Sequence, residues 1–216
     1  KKMFTFANPE ILFLILPALV FSITVHEFFH AYTAYLLGDR TAWSQGRVTL
    51  NPVAHFDPYG FLFIILSMAA GIGFGWGKPV PVNPLRLRNP RRDIMFVTAA
   101  GPLSNFFIAF TAAYIHKIFC LFMTVPSALE IFLSYLVILN VGLGIFNLAP
   151  VPPLDGFTIL SGFLPYELAR NLEGLRRYGM IPLLIFIYSP LYSLWIVPMR
   201  KVMNFLLLVG NFPFHY

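Results

Sequence analysis

Cysteine and charge are the two things this sequence has least of. A single cysteine, Cys120, excludes an intrachain disulfide and any thiolate cage for a metal. Charged residues make up 11% of the chain, where a soluble domain carries about 25%, so no ordinary solvated surface can be assembled from them. Internal repeats and low-complexity tracts are absent as well. The net charge of +6 sits in short loops beside apolar runs, a placement that speaks for membrane orientation and against nucleic acid as a partner. What fills the space is apolar: 58% of the 216 residues are hydrophobic. Runs at 10–37, 59–76, 94–119, 127–148 and 180–199 each approach the ~20 residues that cross a ~30 Å hydrocarbon core. The expectation is an all-α polytopic membrane protein, residues 1–216 forming one membrane-embedded domain with about five or six transmembrane helices. The first run has no small-residue cleavage site and is too long for a signal peptide, so it counts as mature structure.

Inside that first run stands "VHEFFH". An ionisable side chain at membrane depth costs several kcal/mol unless it is partnered, so such residues are functional suspects. His26 and His30 are four apart, which on a helix means about 40° of rotation and about 6 Å of rise; both imidazoles leave one face and can share a Zn²⁺. Glu27 lies about 100° round from His26, suited to a metal-activated water as general base and less suited as a second ligand. On a soluble helix the same string is more often plain surface; an apolar span removes that explanation. A catalytic zinc needs a third protein ligand and an open position. Among the remaining acids only Asp155 lies just past an apolar span, behind the proline-broken end "NLAPVPPLDG". The expected metal ligands are therefore His26, His30 and Asp155, holding one zinc per chain. Taken alone, the proline stretch reads equally as a helix terminator with a turn.

Depth makes the assignment testable. A helix rises about 22 Å from Ile11 to His26 and about 30 Å from Ser127 to Asn147, so both halves of the site lie near the exit faces of their spans. Those spans must run parallel. Residues 59–83 then cannot cross fully, and the glycines and prolines of "GIGFGWGKPVPVNP" point to a re-entrant, partly β-like segment. Ten of the fifteen basic residues fall on the exit side, the cytoplasmic one by the positive-inside rule. Elsewhere the readings are plainer: "GPLSN" is first a packing face, with Asn105 near the site as the minority alternative, and the His55–Asp57 pair is a capped turn rather than a second metal pair. The tail past Met180 makes one span or two.

"HEFFH" on an early apolar helix, "AGPLSN" opening a later one and "NLAPVPPLDG" closing the next together resemble the site-2 proteases, zinc-dependent intramembrane metalloproteases. "GRVTLNPVAHFDPYG" and "GWGKPVPVNP" resemble the connectors of a compact bacterial subgroup. The resemblance spans about Phe21 to Gly162. It implies zinc on His26, His30 and Asp155, water activation by Glu27, and oxyanion support from Asn147. It also implies an edge strand from the re-entrant stretch, a single-pass membrane protein as substrate, and a bacterial inner-membrane location with the site toward the cytoplasm. No PDZ or nucleotide-sensing domain is apparent, so a regulatory membrane partner or prior trimming is expected to select substrates. No cofactor other than zinc is expected. Two rival readings remain: a metal transporter, for which the stretch before His26 offers only Ser22 and Thr24, and a non-cleaving relative, which would not need Glu27.

Overall fold

Alanine decides how closely the first helices approach. The computed structural model describes residues 9–69 and 76–213; expectations for the lead and for residues 70–75 lie outside them. Helix α1 (Pro9–Leu36) packs along α4 (Pro90–Phe122) through Ala18 and Ala34, both buried. Small residues let two backbones come close where lipid gives no hydrophobic drive. Helix α4 also presents Ala109, Ala112 and Ala113 to α5 (Ser127–Asn147), whose Leu133, Val137 and Val141 form the main core with Met203, Leu206 and Leu207. Pro90 starts α4 with the missing N–H that a first helical residue does not need, and Asp93 accepts from the Asn89 N–H at 2.8 Å.

Between α1 and α4 run a short α2 (Thr41–Ser44), a 3₁₀ turn at Pro52–His55, and α3 (Pro58–Ala69). The twelve described residues of α3 rise about 18 Å. Trp76 lies against the first turn of α3: a Cβ on Gly60 would strike its backbone, and its ring sits 5.3 Å from that of Phe63. Trp76 thus stands beside the start of α3. Past Trp76 the chain runs non-helical to Asn83, and among the described residues no strand is formed, so the expected β-like part has no ladder.

After α5 the chain turns through Pro150–Leu154, with a cis Pro152–Pro153 bond, into α6 (Asp155–Phe163). Gly156 is needed there, because a Cβ would enter the Leu148 and Ala149 carbonyls on which α6 seats. The mixed-charge α7 (Tyr166–Glu173) is exposed. Helices α8 (Ile181–Tyr188) and α9 (Pro190–Val209) close the fold. The span expected at 180–199 is thereby shifted. The residue before a proline avoids the α region, so Ser189 is extended and Pro190 opens a new helix. Leu183 and Phe186 of α8 pack on Ala149 and Leu154, supporting the turn that carries Asp155. Among the described residues, four helices are long and apolar enough to cross a membrane: α1 from Phe13, α4, α5 and α9. This is an all-α polytopic membrane protein.

Candidate metal centre

The late part of α1 carries His26 and His30 toward α4, and the start of α6 brings Asp155 from the far side of the sequence. The two Nε2 atoms are 3.0 Å apart, and each is 3.3 Å from Asp155 Oδ2. Both spans therefore run in the same direction, as the depth argument required. Behind the imidazoles, His26 Nδ1 is 2.7 Å from Asn105 Oδ1 and His30 Nδ1 is 2.8 Å from the Val97 carbonyl. A carbonyl oxygen only accepts, so each Nδ1 holds the ring proton and each Nε2 turns a lone pair inward. Asp155 Oδ2 is buried and has no hydrogen-bond partner. Three acceptors facing one another need a cation between them. The ligand atoms of a tetrahedral zinc at ~2.0–2.1 Å stand about 3.3 Å apart, so this donor set fits the ion in type and in spacing.

Room for the pair comes from Gly101. A Cβ there would overlap His30 Nε2 and Cε1 and His26 Cε1. Gly101→Val is expected to force the rings apart, at about 1–3 kcal/mol of overpacking, and to drop bound zinc well below one per chain. Metal analysis of the purified variant checks this; a full complement of zinc would show that the rings have space to spare.

Glu27 does not join the cluster. Its Oε2 accepts from the Val80 N–H at 3.1 Å, placing the carboxylate under the segment 77–83. Prolines 79 and 81 have no N–H, so Val80 supplies the only donor of those three residues. The segment is held by a buried cation: Arg47 donates to the Lys78 carbonyl at 2.5 Å and the Pro79 carbonyl at 3.2 Å, and lies 3.3 Å from His55 Nδ1. His55 binds the Thr49 carbonyl at 2.8 Å and its own carbonyl accepts from Lys78 N–H at 2.9 Å. Burial and the neighbouring guanidinium keep its imidazole below the ordinary histidine range, hence neutral. Asp39 takes the Asn83 N–H at 2.6 Å. Burial pushes its carboxyl up, but bonds from Thr41 and Asn83 outweigh this and hold it below the usual range. Asp57 caps Gly60 N–H at 2.7 Å, so the His55–Asp57 pair is the capped turn expected of it.

Comparison with known proteins follows the same lines. The sequence profile of Peptidase family M50 matches residues 115–186. The protein named "Putative zinc metalloprotease YwhC" of Bacillus subtilis is 40% identical over 187 residues, covering 82% of each chain. The chain belongs to peptidase family M50, the site-2 proteases. Within the family it also resembles proteins named "Putative zinc metalloprotease Rip2". The one from Mycolicibacterium smegmatis is 28% identical over 84% of this chain and 69% of its own; that from Mycobacterium tuberculosis is 30% identical over 81% and 66%. No solved structure gives a significant match. This M50 protein is a zinc metalloprotease embedded in a membrane.

For the M50 protein the sequence named the three clustered residues; Asn105, read first as part of a packing face, stands directly behind His26. Sequence reasoning missed the Val97 carbonyl, Gly101 as the space beneath the rings, and Asn140. The last carried a signal, since a wholly buried amide in the middle of an apolar span is as conspicuous as a histidine there. Asn147 ends α5, and its Nδ2 donates to the Leu143 carbonyl at 2.9 Å.

Proposed function

We propose that the protein hydrolyses a peptide bond in the transmembrane segment of a single-pass protein, near the cytoplasmic face, with His26, His30 and Asp155 holding the zinc. The convergence of two Nε2 lone pairs on the unpartnered Asp155 Oδ2 carries this reading. When bound, zinc supplies Lewis-acid polarisation of a water and of the scissile carbonyl. Glu27 takes the proton of the attacking water and passes it to the leaving amine. Its Oε2 is anchored by Val80, which fixes the carboxylate and leaves its other oxygen for that exchange. The second hydrogen of the Asn147 amide supports the developing oxyanion.

Segment 59–83 is the re-entrant element in this reading. The position of Trp76 beside Gly60 supports it, and the non-helical stretch 76–83 beside Glu27 is where an unwound substrate lies. Ser22 is bonded inside the bundle, which disfavours an ion path through that half. The membrane is the bacterial inner membrane, and a membrane partner selects substrates.

The decisive test uses proteoliposomes holding purified protein and a panel of single-pass segments of known orientation, with cut sites mapped by mass spectrometry. Cleavage should fall in the cytoplasmic half of the segment, stop on zinc chelation, and return with zinc. Cleavage confined to soluble loops would overturn the intramembrane assignment.

A further inference from the structure

The orientation of His26 is set by a chain of amides that ends far from the site. Asn140, in the middle of α5 and wholly buried, donates through Nδ2 to the Leu136 carbonyl at 2.8 Å and to Ser22 Oγ at 2.7 Å. Ser22 donates in turn to the Ala18 carbonyl at 2.6 Å. Both carbonyls can only accept. They fix the Asn140 nitrogen on their side and leave its Oδ1 facing Asn105, 2.8 Å from Nδ2. The other Asn105 hydrogen points at the Ser22 carbonyl, 3.5 Å away. With its nitrogen committed, Asn105 has only an oxygen to show His26. The ring proton must then sit on Nδ1, and Nε2 must present its lone pair to Asp155.

We infer that Asn140 is a positioning residue that sets zinc affinity at two removes, by deciding which end of the Asn105 amide meets His26. The inference rests on His26 as a zinc ligand. A buried Asn140 that served only helix packing would need no defined direction of hydrogen bonding. Partners of ligating histidines typically cost 10–100-fold in metal affinity when lost, and a residue that dictates such a partner's orientation belongs to the same range.

The test measures zinc dissociation constants by chelator competition, apo-protein melting, and ¹⁵N shifts of the histidine rings. Asn140→Leu removes the acceptor; zinc binding should weaken by ~10–100-fold, and the His26 resonances should show both tautomers. Asn140→Asp keeps an oxygen toward Asn105 and should bind close to wild type. If Asn140→Leu fails to fold, Asn140→Ser replaces it: the hydroxyl still bonds the Leu136 carbonyl but is too short to reach Asn105, and the same weakening is expected. Wild-type affinity and a single Nδ1–H tautomer in the Leu or Ser variant would overturn the inference. So would an Asp variant as weak as the Leu one. Failure of wild type itself to bind zinc would instead remove the ligand assignment on which the inference stands.

Discussion

Glu27→Gln is expected to retain one zinc per chain and to lose proteolysis by about 10²–10⁴-fold, the usual contribution of a positioned general base. The separation of the two readouts follows from the geometry. Glu27 is bonded to Val80 and stands outside the three-atom cluster, so its charge can be removed without touching a ligand. The glutamine carbonyl oxygen can still accept the Val80 N–H, which keeps segment 77–83 in place. What is lost is the basic oxygen alone. Metal analysis and cleavage of a reconstituted segment on the same preparation check the pair of outcomes. If zinc left together with activity, Glu27 would have to be a ligand and the water-activating role would go.

Asp155→Ala should show the opposite pattern, in which zinc and activity fall together. Its Oδ2 is the only anionic atom in the cluster, and two neutral imidazoles alone make a poor site for a divalent ion. The loss in affinity should exceed the ~10–100-fold typical of supporting residues. The helices should stay folded, because Asp155 is the first residue of α6 and packing there rests on Gly156 and Phe157. Chelator competition against wild type measures the first expectation and circular dichroism the second. A variant with wild-type affinity would show that another group serves as third ligand.

The legible part of this protein was the part written in periodicity and cost. His26 and His30 declared themselves because two imidazoles on one face of an apolar helix have no cheap explanation. Asp155 followed from the prolines before it, and the parallel course of α1 and α5 from helix rise. For the segment 59–83, the glycines and prolines gave a reason to expect a re-entrant course, and residues 70–75, which would decide it, lie outside the described ones. The tail was misjudged in position, because hydropathy alone does not show that a break at Ser189–Pro190 resets the helix. Val97 and Gly101 were hidden for another reason. Their roles depend on which helix faces which, and a backbone carbonyl or a missing side chain has no letter of its own in the pattern.

The histidines are backed by uncharged oxygens, an amide for His26 and a main-chain carbonyl for His30. A carboxylate in either place would pull on the Nδ1 proton and make the imidazole a stronger electron donor. Here that push is weak. A zinc held as proposed by His26, His30 and Asp155 would have one carboxylate among its protein ligands and would keep a net positive charge, in surroundings of low dielectric where a field reaches furthest. Sparing the membrane two extra buried anions would thus also make the bound ion a stronger electron acceptor.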